Sequence, residues 1–250
     1  MALNLEHPLA FVPTMGALHA GHQSLIKLAK TRCENVTVSI FVNPLQFESQ
    51  EDLSKYPRTP EMDAQLAEAA GATFVWQPTF EEIYPKVPEI ISAGPIGALF
   101  EGVHRFGHFD GVLTVVKRLF DLVQPEFAIF GEKDFQQLFL IKQMVKNLNL
   151  PIEIIAAPIV RDRDGLALSS RNVRLSDKGR NSALVISKAL REGELNKENI
   201  IKILASEKNF TLDYAEIINS DNFEIANSET QNKRAIIAGW VEGVRLIDNG

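Results

Sequence analysis

Two hundred and fifty residues, 45% hydrophobic and 23% charged, suffice for a large core without a disulfide or metal staple, as one large domain or two modest ones. Twenty-six basic against thirty-two acidic residues leave a formal charge of −6. That balance argues against a general nucleic-acid or anionic-membrane surface, though not against a local basic pocket for a small anion.

A lone cysteine, Cys33, forbids an intrachain disulfide and a multi-cysteine metal site. No apolar run reaches the ~18–20 residues of a membrane span. The opening MALNLEHPLA has neither the basic region nor the long apolar stretch of a signal peptide, so a cytoplasmic protein is expected.

In chain order, short apolar runs alternate with longer amphipathic ones, the pattern of a parallel sheet covered by helices. Leu9–Val12 reads as a strand and His22–Cys33 as a helix. Val36–Val42 is β-branched and uncharged, as a strand buried on both faces should be. Pro60 suits a first helical turn and Gly71 its stop, and Thr73–Trp76 is the next strand. A Pro- and Gly-rich stretch follows from Gln77 to about Gly111. GVLTVVKRLFDLV then reads as a helix, Phe127–Phe130 as a strand, Phe135–Asn147 as an amphipathic helix and Ile152–Val160 as a strand. From about Ser176 the pattern changes: two helical patterns, Asn181–Glu194 and Asn196–Ser206, precede two strand-like segments, TLDYAEIINS and RAIIAGWVEGVRLI. A boundary is expected near residue 175, giving domains 1–175 and 176–250.

The strongest chemical cluster is FVPTMGALHAGH. A strand ends, a turn with Pro13 and Gly16 follows, and His19 and His22 fall three residues apart where a helix begins. That spacing puts both imidazoles on one face of the first turn. The helix N-terminus adds unpaired N–H groups and a positive dipole end, which suit phosphate, and Gly21 lets a ligand approach the backbone. Neither a P-loop nor a G-x-G-x-x-G loop is present.

Other clusters are ambiguous taken singly. FAIFGEKDFQQL delivers Gly131 to a turn with Lys133, Asp134, Gln136 and Gln137. Lys133 could neutralise phosphate and Asp134 accept from ribose hydroxyls; equally, Asp134 could be a helix cap and Lys133 a solvated loop residue. IVRDRDGLALSSRNVRLS concentrates Arg161, Arg163, Arg171 and Arg174 around Ser169 and Ser170. It could hold a triphosphate, or be only a hairpin turn and a cap. Asn43 and Gln46 after a buried strand could orient a polar substrate, though Asn43-Pro44 is also an ordinary turn starter. His104, Arg105 and His108 share a Gly-flanked loop that suits a carboxylate or phosphate. With no acidic or cysteine partner at ligand spacing, no metal site is expected there. Cys33 reads as a buried small hydrophobe.

Together and in this order, PTMGALHAGH, SIFVNPLQF, DLSKYPRT, EGVHRFGHFDGVLTVVKRLF, FGEKDFQQL and RDRDGLALSSRN closely resemble the pantoate–β-alanine ligase family. That family is a member of the H-x-G-H nucleotidyltransferase group, related to class I aminoacyl-tRNA synthetase cores. The matching segments run from Pro13 to Asn172. The resemblance implies a Rossmann-like parallel sheet with helices on both faces, a smaller α+β C-terminal lid domain, and a homodimer. It implies ATP-dependent condensation of pantoate with β-alanine through a pantoyl adenylate, with ATP as substrate and Mg²⁺ accompanying it. ATP contacts fall on Met15, Gly16, Ala17, Leu18, His19, Ala20, Gly21 and His22, on Gly131, Glu132, Lys133 and Asp134, and on Val160, Leu168, Ser169, Ser170 and Arg171. Gln46 and Gln137 match substrate-binding positions, and His22, His19, Lys133 and Arg171 the catalytic ones.

Four departures stand out. Phe106 takes the place of a usual proline and Arg174 that of a common aromatic residue, the helix that leads into the first motif is expected to be missing, and the C-terminal domain is expected to be short. The residues leave two rivals, an adenylyltransferase acting on a phosphate acceptor and a non-catalytic nucleotide-binding module.

Overall fold

The computed structural model describes residues 3–250; Met1 and Ala2, which open the segment read as lacking a signal peptide, lie outside them. The chain alternates strand and helix: β1 (Leu9–Thr14), α1 (Ala20–Arg32), β2 (Asn35–Ile40), α2 (Gln50–Lys55), α3 (Pro60–Ala70), β3 (Phe74–Trp76), α4 (Phe80–Ile83), α5 (His108–Val123), β4 (Phe127–Gly131), α6 (Phe135–Asn147) and β5 (Glu153–Ala157). Helices α7 (Asp177–Glu192) and α8 (Lys197–Leu204) then lead to strands β6 (Thr211–Asn219), β7 (Lys233–Val241) and β8 (Val244–Asn249).

The first five strands form one parallel sheet in the order β3-β2-β1-β4-β5. Alternate residues of its central strands point to opposite faces. Ala10, Val12, Val36 and Val38 pack with Ile26 and Ala29 of α1 and Ala67 of α3. Phe11 points the other way and meets Phe120 of α5 edge-on, with ring centroids 6.4 Å apart. Fully burying such side chains contributes roughly 1.5–3 kcal/mol each, so both faces of the sheet have to be covered. The strand order reverses between β1 and β4, and the carboxyl ends of that pair are where ligands bind in open α/β sheets.

The antiparallel sheet β6-β7-β8 has its own core. Ala183, Ile186 and Ala189 of α7 and Ile200 and Leu204 of α8 pack against Ala215, Ile217, Ala235, Ile237 and Leu246. RAIIAGWVEGVRLI, expected as one strand-like segment, is the hairpin β7–β8. Its turn residues Glu242 (φ 51°) and Gly243 (φ 75°) both take the positive φ that a tight hairpin favours. Helix α2 escapes sequence reading because its six residues, five polar and only Leu53 apolar, carry no apolar period.

The chain divides into two compact units: residues 3–132 with Gln136–Pro158, and Lys133–Phe135 with Ile159–Gly250. The division thus falls after Pro158 rather than near residue 175. The cause is visible in the second unit, where Leu166 joins the α7–α8 core and Arg161 is bonded to Asp248. Among the described residues no helix is long and apolar enough to cross a membrane.

Candidate active site

Met15–His22 form the turn from β1 into α1. Gly16 sits at φ +84°, and a Cβ there would lie 2.9 Å from Asp63 Oδ2, so glycine is required both for the turn and for the close approach. The Asp63 carboxylate, only 1% exposed, accepts from the backbone N–H groups of Ala17 (3.0 Å) and Leu18 (2.7 Å). The turn is therefore fixed from below by a buried charge with two donors.

His19 is the N-cap of α1 and His22 is its third helical residue, in a reciprocal cap. Gly21 N–H donates to His19 Nδ1 (3.1 Å), His19 N–H donates to His22 Nδ1 (3.3 Å), and the ring centroids are 4.2 Å apart. An accepting Nδ1 assigns the proton of each neutral ring to Nε2. Capping and anion recognition, which the sequence offered as alternatives, are compatible: one nitrogen of each ring caps the helix while the other carries an N–H.

Gln46 closes a 3-10 turn, Pro44–Gln46, capped by Asn43. Its Nε2 donates to Met15 Sδ (2.9 Å), which ties it to the histidine turn. Its Oε1 accepts from Asn43 Nδ2 (3.3 Å), and Asn43 in turn donates to Gly111 O and accepts from Tyr84 OH. Burial pushes the Tyr84 phenol well above its ordinary range, with Arg118 only partly opposing, so it stays a neutral donor. His108, expected in a ligand-contacting loop, is instead the buried first residue of α5, and its Nδ1 bonds to Gln46 O (2.8 Å). It holds Gln46 rather than facing solvent.

Gly131 ends β4, Glu132 opens the 3-10 turn Glu132–Asp134, and Gln137 is half-buried in the first turn of α6, its side chain without a hydrogen bond to any described residue. Its neighbour Gln136 is spent structurally: it donates to Ile96 O and Leu99 O and accepts from Glu101 N–H.

In the second unit, one small cleft is lined by Lys133, Ser169, Arg171 and Asn172 among others. Lys133 Nζ lies 3.6 Å from Asp134, which is mostly exposed. Leu168 N–H donates to Val160 O, joining the two arms of the hairpin expected at Asp164-Gly165. Ser169 caps the 3-10 turn Ser170–Arg174 by accepting from Arg171 N–H (3.3 Å). The Arg171 guanidinium has no hydrogen bond among the described residues, and Asn172 Oδ1 is buried without a partner among them.

The expected cluster of four arginines is smaller than the sequence suggested. Arg161 makes a two-pronged ion pair with Asp248 (2.5 and 2.9 Å), so its charge is already neutralised, and Arg163 and Arg174 are exposed. Cys33 is buried and donates to Pro8 O.

Sequence reading missed Asp63, Tyr84 and Asp248. Asp63 reads as an ordinary acid in the first turn of α3; nothing local reveals that its carboxylate points under a turn some forty-five residues earlier.

The family model for pantoate-beta-alanine ligase matches residues 2–250. The chain is 47% identical to the pantothenate synthetase of Acidothermus cellulolyticus, over 98% of this chain and 86% of that one. It superposes on the crystal structure of pantothenate synthetase from Thermus thermophilus with a TM-score of 0.92 at 41% identity, over 99% of this chain and 94% of that one. The ligase from Francisella tularensis, solved with Beta-gamma ATP and Beta-alanine, gives 0.82 at 37% identity, covering 97% of this chain and 88% of the other. The turn, the amide shelf and the Lys133 cleft thus sit in a fold shared along almost its whole length, and the chain belongs to the pantoate–β-alanine ligase family.

Proposed function

We propose that this chain joins (R)-pantoate to β-alanine at the expense of ATP, giving pantothenate, AMP and diphosphate. In the first step a pantoate carboxylate oxygen attacks the α-phosphorus and diphosphate leaves. In the second, the β-alanine amine attacks the acyl carbon of the pantoyl adenylate, AMP leaves with the former carboxylate oxygen, and the amine nitrogen gives up its proton. The substrate is the nucleophile, so the protein's work is positioning and neutralising charge.

Following the family, His19, His22 and the backbone of Met15–Gly21 at the positive end of α1 serve ATP, as do Gly131–Asp134, Val160 and Leu168. The Gln46 and Gln137 amides serve pantoate, and Lys133, the Ser169 and Ser170 hydroxyls and the Arg171 guanidinium serve the phosphates. Mg²⁺ arrives with ATP as part of the substrate, keeping several of its own waters. We place the enzyme in the cytoplasm as a homodimer, following the family.

The observation that carries the reading is the reciprocal histidine cap, because it commits both Nδ1 atoms at the N-terminus of α1 and so assigns the proton of each neutral ring to Nε2. Incubation with ATP, Mg²⁺, pantoate and β-alanine tests it. AMP release that requires both organic substrates supports the ligase. AMP transfer to a phosphate acceptor would mark an adenylyltransferase, and no AMP a binding module.

A further inference from the structure

Lys133 belongs by its packing to the second unit, although it follows β4 by only two residues. The contacts that hold it come from far along the chain. Asn249, the last residue of β8, donates through Nδ2 to the backbone carbonyl of Lys133 (2.9 Å), across 116 residues of sequence. The amide is oriented in its turn: Arg234 of β7 donates to Asn249 Oδ1 (2.5 Å), and the Asn249 N–H donates to Asp248 Oδ1 (2.9 Å). Two residues on, Phe135 stacks on Phe223 (6.0 Å between centroids, 17° between planes), and the Arg234 guanidinium lies 4.3 Å from the Phe135 ring centroid. The Lys133 backbone is thus gripped on its carbonyl and on its i+2 side chain by the same strand pair.

From this we infer that Asn249, oriented by Arg234, is a positioning residue for Lys133, and that the end of β8 sets where the Lys133 ammonium sits. The inference rests on the reading of Lys133 as a phosphate-neutralising group. An ammonium on a four-carbon stem has several rotors; fixing the backbone at its root removes the displacement that those rotors would otherwise amplify. A charge contact made in a transition state is sensitive to displacements of about 1 Å, which can cost on the order of 10²-fold in rate.

Asn249→Asp tests this in the full chain. It keeps the side-chain size and the acceptor for Arg234 but removes the N–H donated to Lys133. Expected are a fall in kcat of about tenfold, an unchanged KM for pantoate, and a lowered thermal midpoint, since the buried new carboxylate would face the Lys133 carbonyl. In Lys133→Ala, adding Asn249→Asp should cost nothing further, because the residue acts through Lys133. Should Asn249→Asp not fold, Arg234→Lys, which loosens the same amide, should show the same absence of additivity. Wild-type kcat in the folded variant, or losses that multiply in the double variant, would overturn the inference. Near-normal turnover in Lys133→Ala would overturn the reading of Lys133 itself, and the inference with it.

Discussion

The β1–α1 turn and the Lys133 cleft both offer positive charge to an anion, yet they are fixed by different means. The turn presents backbone N–H groups and two capping rings, held by the strand before it and the helix after it, with one distant carboxylate beneath. The cleft presents flexible cationic side chains, and the root of Lys133 is held by a strand 116 residues away. The first is a local device that tertiary structure tightens; the second exists only when β8 is in place.

The largest effects should come from removing the chemistry at either place. His22→Ala or Lys133→Ala is expected to lower kcat on the order of 10²–10³-fold, the range for a transition-state charge contact. Both should leave the fold intact by circular dichroism, and near-normal turnover in both variants would break the parallel between the two regions.

Next comes the support of the turn. Asp63→Ala leaves the buried Leu18 N–H and the part-buried Ala17 N–H without their acceptor; at about 1–3 kcal/mol for a buried unsatisfied group and less for the part-buried one, urea unfolding should show a loss of ~2–4 kcal/mol. A loss below half a kilocalorie would mean that the turn holds itself. Gly111→Ala is the equivalent for the amide shelf, since the new Cβ would meet Leu45 O at 2.3 Å. Overpacking of this kind costs typically 1–3 kcal/mol, and the displaced Gln46 should raise KM for pantoate more than for ATP.

The smallest effect tests the hairpin beside the cleft. Partial burial pushes the Asp164 carboxyl up, but the Leu166 N–H and the Arg180 guanidinium outweigh it and hold the carboxyl below its ordinary range. A depressed carboxyl favours folding at pH values above its unfolded pKa, and that contribution is lost as pH falls through the folded one. Asp164→Asn should therefore lower the thermal midpoint slightly at neutral pH. The difference from the parent should shrink only as the solution becomes more acidic than the ordinary aspartate range. A difference that persists in strong acid would assign the effect to packing instead.

Much of the fold was legible because its signals are local. The bounds of α6, expected at Phe135–Asn147, agree with the structure, and β1, β2 and α3 fall within about two residues, since apolar period, Pro60 and Gly71 act over a few neighbours. The histidine turn was legible for the same reason. What failed depends on partners far away. Arg161 was counted as a free charge in the sequence, but Asp248 neutralises it. His108 was read as a loop ligand, but it is buried beneath Gln46. The hairpin β7–β8 was read as one segment because an apolar run of that length hides a turn whose only mark is Glu242-Gly243.

By itself, then, the sequence determined the alternation of elements, the strand–turn–helix that carries His19 and His22, and the family whose motifs it repeats. Only the tertiary structure decided which charges are spent in ion pairs, which acid lies beneath the turn, and which unit holds Lys133. Periodicity and capping act over one or two turns of chain, whereas neutralisation and buried hydrogen bonds depend on groups that meet only after folding.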